Sequence, residues 1–311
     1  MGSDALAGTD HGLIRRLSAS MISKVQAMQN WVDRVLTEWT PGQPLVLLFD
    51  YDGTLAPLAR HPRLAFIPAI TREALAALAG STNVTMGVIS GRAIAELKQD
   101  VDIPSIWYAG SNGMHIDVEG EERIDPTIEE FEAIVDPLLT ALAGPVQWFA
   151  GTWIERKPGC LTLHYRSLLP LMAACFVEEV RDTLKGLIGP ECPPLRVREV
   201  SRAIEIALAD SWTKGDAAGW MLARCRHDAL TVFVCDGAND KEAVAVVNAR
   251  GGVTIGVGPD APNDVAFRLA TPRDLTEDLV RLSREVNPGD SPVTAFAADP
   301  HAALHPLPPI F

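Results

Sequence analysis

Leu45-Val-Leu-Leu-Phe49, followed by Asp50-Tyr-Asp52-Gly-Thr-Leu55, is the stretch on which the reading of this 311-residue chain turns. Its five leading apolar residues fit a fully buried strand, although so short a run taken alone also fits a core helix. The residues that follow decide for the strand: two acids stand two apart, and Gly53-Thr54 marks a sharp turn. A lone strand-end Asp would simply cap the next turn. In open α/β sheets, however, ligands gather just beyond the carboxyl ends of strands, which places Asp50 and Asp52 at the mouth of a site. Burying two charges without a partner is costly, and a cation is the simplest compensation. Hard oxygen ligands beside a phosphate would suit Mg²⁺.

Composition sets the frame. Hydrophobic residues make up 47% of the chain and charged residues 22%, as in an ordinary globular protein long enough for two domains. A net charge of −13 argues against a general affinity for nucleic acid. No run approaches the roughly 18 apolar residues of a membrane span, and no secretory signal is visible. Five cysteines (Cys160, Cys175, Cys192, Cys225, Cys235) form no CxxC pair, which suits a reducing, cytoplasmic setting.

Along the chain, Leu13 to Trp39 carries apolar residues at helical spacing, stopped by Pro41-Gly42. A second buried strand, Asn83–Ser90, runs into Ser90-Gly91-Arg92 and a helix, where a hydroxyl and free backbone N–H groups offer either an N-cap or an anion site. A third strand, Ile106–Ala109, leads to Gly110-Ser111-Asn112-Gly113. From about Ile116 the texture changes to an α-β-β pattern given twice: helix Thr127–Leu142, strands Val146–Glu155 and Cys160–Arg166, helix Leu168–Leu187, strands Leu195–Val200 and Ala203–Leu208. Lys214-Gly215-Asp216 then opens a helix, and strand Leu230–Cys235 ends on Asp236-Gly237, with Asp240 just beyond. The expected organisation is a helical extension over 1–40, a catalytic core over 41–117 and 210–287, an inserted cap over 118–209, and a Pro/Ala-rich tail over 288–311. The tail's His301 and His305 have no Cys or acid cluster beside them and read as solvated.

Four distant pieces therefore arrive at strand or helix ends: Asp50/Asp52, Ser90, Lys214 and Asp236/Asp240. Phosphoryl transfer needs such a set, because charge on the phosphate must be screened while a carboxylate attacks and a second acid moves protons. D-x-D-G-T after an apolar strand resembles the first signature of the haloacid dehalogenase superfamily of phosphotransferases, and Ser90 matches its second. The resemblance implies an α/β, Rossmann-like core, a parallel sheet with helices on both faces, carrying an inserted α+β cap of the duplicated α-β-β (C2B) type. It implies Asp50 as nucleophile, Asp52 as general acid/base with its carbonyl on Mg²⁺, and Lys214 as the neutralising cation. Ser90 would hold the phosphoryl group, Asp236 would ligate the metal, and Asp240 would ligate it or hold its water. No G-x-x-x-x-G-K-[ST] string occurs, which disfavours a P-loop kinase.

Glu155-Arg156-Lys157 and His164-Tyr165-Arg166 resemble the E-x-K…H-Y-R element in the cap of trehalose-6-phosphate phosphatases. The opening DYDGTL, the string ISGR and the cap duplication agree over about residues 40 to 285. Strand alternation puts Glu155 and Lys157 on one side and His164 and Arg166 on one side. By this resemblance Glu155, Lys157, His164 and Arg166 grip the sugar, with Thr54, Gly91, Arg92, Asn112 and Glu205 as further substrate contacts. The chain departs from the family's usual strings at Cys235–Asp240, at Asn112 and at Ala207-Leu208. The implied activity is Mg²⁺-dependent hydrolysis of trehalose 6-phosphate. The alternatives are another sugar phosphate, such as a glucosyl- or mannosyl-glycerate phosphate, and a non-enzymatic sugar-phosphate sensor or synthase partner subunit. The implied partners are a phosphorylated sugar and, as candidate protein partner, a trehalose-6-phosphate synthase; neither nucleic acid nor membrane is expected.

Overall fold

β1 (Leu45–Phe49) lies inside an eight-stranded sheet, and its alternation shows why all five of its residues are apolar. Leu45, Leu47 and Phe49 pack into one core, while Val46 and Leu48 pack into another on the opposite face. A strand buried on both faces has no polar side, which is how parallel strands in α/β folds read. The structure, a computed structural model, describes residues 30–40, 42–59, 61–187, 193–200 and 202–288. The predicted helix over Leu13 to Trp39 lies outside that range except for its end, α1 (Trp31–Glu38), and the predicted tail lies outside it beyond residue 288.

The sheet also contains β2 (Val84–Ile89), β3 (Ile106–Gly110), β4 (His115–Val118), β5 (Glu121–Ile124), β10 (Leu230–Cys235), β11 (Val253–Val257) and β12 (Phe267–Leu269). Its order is β12-β11-β10-β1-β2-β3-β4-β5, parallel from β12 to β3 and antiparallel beyond. Helices α2 (Ala69–Ala79), α3 (Ile94–Val101) and α8 (Pro272–Val286) supply the first core, with Trp31, Val32 and Val35 of α1 docked there. Trp31 Nε1 donates to Asp278 Oδ2 at 2.6 Å, so the described end of the N-terminal helix packs on this chain's own core. Helices α6 (Lys214–Leu222) and α7 (Lys241–Ala249) supply the second.

Between β5 and α6 lies a separate four-stranded antiparallel sheet in the order β6-β7-β9-β8. Its strands are β6 (Trp153–Lys157), β7 (Cys160–His164), β8 (Leu195–Val200) and β9 (Ala203–Leu208). Two helices, α4 (Thr127–Trp148) and α5 (Pro170–Leu187), precede the two strand pairs. They cover one face, burying Leu161, Leu163, Ile204 and Ile206. The other face is turned to the core.

Two expectations are corrected. The helix predicted over Thr127–Leu142 runs on to Trp148 through Pro137 and Pro145, so the following strand starts at Trp153 rather than Val146. Phe131, Val135, Leu138, Leu142 and Pro145 continue one buried stripe, and that packing outweighs the local breaker signal of Gly144-Pro145. The change of texture near Ile116 is a β4–β5 hairpin on the core sheet, turned at Glu119-Gly120 with φ of 55° and 85°. It went unread because Glu121-Glu-Arg-Ile124 is an exposed edge strand with no apolar alternation. Residues 118–124 thus pair with the core sheet. Asp125 joins the two linkers of the insert: its Oδ1 accepts from Thr127 N at 3.1 Å and its Oδ2 from Trp212 N at 2.8 Å.

Candidate active site

The chain leaves β1 for β2 on one side and later returns to β10 on the other, making the carboxyl ends of β1 and β10 the switch point of the sheet. Register pairs Phe49 with Val234, and Asp50 N donates to Val234 O at 2.9 Å. Asp50 and Asp236 therefore emerge side by side. Gly53 makes the approach possible: at φ +85°, a Cβ there would lie 1.8 Å from Asp236 Oδ2. Lys214 enters from the start of α6, whose N-terminus is fixed by a capping box between Thr213 and Asp216. Its ammonium, 2% exposed, donates to Asp50 Oδ1 at 2.6 Å and to Asp240 Oδ1 at 2.7 Å.

Asp50, Asp236 and Asp240 each offer a carboxylate oxygen within 4.8 Å of the others, all buried. One lysine faces three acids, leaving two negative charges uncompensated when all are ionised. Burial and that excess of charge act together on these groups. Burial, then the charges of Asp50 and Asp240, push the Asp236 carboxyl upward. Burial also raises Asp240, against the opposing pull of Lys214. Burial alone would depress the Lys214 ammonium, but Asp240 and Asp50 raise it. A buried all-oxygen set with a surplus of two charges fits a hard divalent cation.

The other predicted residues fall around this centre. The Ser90 hydroxyl accepts from Arg92 N at 3.2 Å and is no N-cap, since α3 starts after Ala93. Thr54 is fully buried, and its hydroxyl has no hydrogen-bond partner among the described residues. The Arg92 guanidinium is held by carboxylates of this chain. Its Nε and Nη2 grip Asp52 Oδ2 and Oδ1 at 2.8 and 2.6 Å, and Nη1 meets Asp100 Oδ2 at 2.7 Å. Asn112 sits in a turn where Ser111, Asn112 and Gly113 all have positive φ (48°, 56°, 102°). A Cβ on Gly113 would lie 2.4 Å from Thr213 O, so the turn is held against the start of α6. From it Asn112 Nδ2 crosses to the cap and donates to Glu205 Oε2 at 2.5 Å.

The cap closes the cleft with one face of its sheet. Glu155, Thr162 and Glu205 stand in direct register on β6, β7 and β9, with Trp153 and His164 one step along. His164 Nε2 and Lys157 Nζ reach Glu155 Oε2 at 2.7 and 3.3 Å. Burial opposes the Glu155 charge, but the bonds from His164 and Lys157 hold its carboxyl down to about 2. Arg166, beyond the end of β7, donates to Ala59 O at 2.8 Å. The cleft between these groups and the acids measures about 140 Å³. Beyond the residues expected from the sequence, Trp153 and Thr162 line the cleft and His61 stacks on Trp153. Trp153 stacks between His61 and His164, with centroids 5.7 and 4.4 Å away, and the buried Thr162 hydroxyl has no hydrogen-bond partner among the described residues. Strand alternation from Glu155 points to Trp153 and from His164 to Thr162, but nothing local points to His61.

A capped α/β sheet with an acid-lysine centre at its switch point defines a haloacid-dehalogenase-type phosphatase, a phosphoric monoester hydrolase. The family model described as Trehalose-phosphatase matches residues 48–270, and the chain belongs to that family. Trehalose-phosphate phosphatase B of Arabidopsis thaliana is 26% identical over 281 residues, covering 85% of this chain and 72% of that protein. Trehalose 6-phosphate phosphatase RA3 of Zea mays is 26% identical over 264 residues, covering 78% and 71%. The C-terminal domain of C. albicans trehalose-6-phosphate phosphatase shares the fold with a TM-score of 0.73 at 20% identity, covering 82% of this chain and 97% of that one. Fold alone does not separate enzyme from regulator. The C-terminal domain of C. albicans trehalose synthase regulatory protein also aligns, with a TM-score of 0.56 at 10% identity over 79% and 97% of the two chains. Among the described residues no helix is long and apolar enough to cross a membrane.

Proposed function

We propose that this protein hydrolyses trehalose 6-phosphate to trehalose and phosphate through an aspartyl-phosphate on Asp50. The observation that carries the proposal is the placement of Asp50 on Lys214 (2.6 Å) beneath a cap face bearing Glu155, Thr162, His164 and Glu205. The Asp50 carboxylate attacks phosphorus, an O–P bond forms, and the bond to the sugar oxygen breaks. Asp52 gives that oxygen its proton. A water deprotonated by Asp52 then attacks phosphorus, releasing phosphate and restoring Asp50. Lys214 holds Asp50 and offsets charge in both steps. Asp50, the Asp52 carbonyl, Asp236 and Asp240 would hold Mg²⁺, which when bound neutralises phosphoryl charge. Ser90, Thr54 and Gly91 are assigned to the phosphoryl pocket. The sugar hydroxyls are assigned to Glu155, Lys157, Thr162, His164 and Glu205, a mixed set of donors and acceptors. The cleft of about 140 Å³ is tighter than the roughly 300–1,000 Å³ usual for small-molecule sites, so substrate is admitted with the cap lifted.

Phosphate release measured across a panel of sugar phosphates tests the reading. Trehalose 6-phosphate should give the highest kcat/KM, excess EDTA should stop turnover, and Asp50→Asn should abolish it in a folded protein. Preference for another sugar phosphate would overturn the substrate assignment. Turnover by the Asp50 variant would overturn the nucleophile.

A further inference from the structure

Arg92 has a heavily engaged guanidinium at the site, although the phosphoryl-transfer steps give it no task. Four of its five N–H donors are used: two on Asp52, one on Asp100 and one on Pro62 O at 2.7 Å. Its guanidinium also lies 4.5 Å from the centre of the Tyr51 ring. The arginine side chain is 7% exposed, whereas that of Asp52 is 35% exposed. Arg92 is therefore the anchored member of the pair and Asp52 the one open to the cleft.

Pro62 ties this clamp to the cap. The stretch that carries Pro62 also carries Ala59, whose carbonyl accepts from Arg166, and His61, whose ring lies nearly parallel to Trp153 at 7°. Trp153 in turn stacks on His164, which bonds Glu155. A continuous line of contacts thus runs from the sugar-facing cap strands, through His61 and Pro62 O, to Arg92 and the Asp52 carboxylate.

We propose that Arg92 is a positioning residue that sets Asp52 for proton transfer to the leaving oxygen, and that His61 and Pro62 make this setting depend on the cap's contact with the substrate. The proposal rests on the phosphatase reading but not on which sugar is the substrate. A two-point fork fixes both the position and the plane of a carboxylate, which a single ammonium does not. Contacts at the sugar end are thereby converted into alignment at the reacting end, as remote binding interactions can be.

The test compares leaving groups in Arg92→Lys and His61→Ala. The first keeps the charge and loses the fork; the second removes one exposed ring. The preferred sugar phosphate has a poor leaving group that needs the proton. p-Nitrophenyl phosphate has a good one, and its first-turnover release of p-nitrophenolate reports O–P bond formation alone. General acid catalysis contributes about 10²–10⁴-fold, so Arg92→Lys should lose at least about tenfold more kcat on the sugar phosphate than on the p-nitrophenolate burst. His61→Ala should show the same selectivity, with kcat moved more than KM. Equal losses on both substrates, or no loss on either, would overturn the proposal. If Arg92→Lys does not fold, His61→Ala decides alone by the same criterion. Absence of turnover on every sugar phosphate by the wild type, with a normal burst, would instead overturn the substrate reading.

Discussion

Replacing Lys214 by Met tests the electrostatic heart of the site. Its Nζ bonds Asp50 and Asp240 at 2.6 and 2.7 Å, with side-chain exposures of 2%, 5% and 0% for the lysine and the two acids, so solvent cannot take its place. Removing one partner of a buried ion pair costs about 3–5 kcal/mol. At about 2–4 °C per kcal/mol for chains of 150–250 residues, that is a Tm loss on the order of 6–20 °C. The formal charge of Asp50, Asp236, Asp240 and Lys214 goes from −2 to −3 in the variant. Lys214 pulls Asp236 and Asp240 down while burial pushes them up, so without it both rise further and escape charge by taking up protons. An acid whose folded value is raised loses stability as pH increases, so the deficit should grow with pH. A divalent cation brings −3 to −1 and should recover part of the loss. Urea unfolding at pH 6 and pH 8, in EDTA and in Mg²⁺, reads all of these terms. An unchanged urea midpoint at pH 8 in EDTA, or a loss of the same size with and without the cation, would refute the reasoning.

In the wild type stripped of divalent ions, the raised carboxyls of Asp236 and Asp240 should make Tm fall as pH rises from the ordinary carboxylate value of 3.8 through neutrality. Saturating Mg²⁺ should flatten that slope, and parallel Tm–pH curves with and without the ion would count against a cation on these acids. Gly53→Ala should weaken divalent binding by calorimetry and cut turnover by about 100-fold or more, since the added Cβ would lie 1.8 Å from Asp236 Oδ2 in a backbone at φ +85°. Wild-type turnover in that variant would show the approach to be soft. Asp125→Ala removes the acceptor shared by Thr127 N and Trp212 N and should cost about 2–4 kcal/mol in urea unfolding. A change below about 0.5 kcal/mol would mean that the two linkers are held by other contacts.

What could be read directly were the features written in consecutive residues. β8, β9 and β10 were expected at the bounds they have, and β2 and β3 within a residue, because each is an apolar or alternating run bounded by turn chemistry. The acids after β1 and β10 and the lysine opening α6 were legible for the same reason: strand ends and helix starts are local signals. α4 was misjudged where a buried stripe overrode Gly-Pro punctuation, and β5 was missed because its charged edge carries no pattern.

The sequence by itself determined which chemistry was available: four acids (Asp50, Asp52, Asp236, Asp240) and a lysine at element ends, and a mixed polar face on the cap strands. Only the tertiary structure decided who holds whom. Arg92 bonds Asp52, Asp100 and Pro62 O; Asn112 reaches Glu205, and His61 reaches Trp153. These partners lie between 8 and 93 residues apart in the chain. Local propensity fixes a residue's place along a strand or turn. The partner of a long side chain there is chosen by which other elements the sheet order and the cap bring within a few ångströms, and that choice is made by the packing of the whole fold.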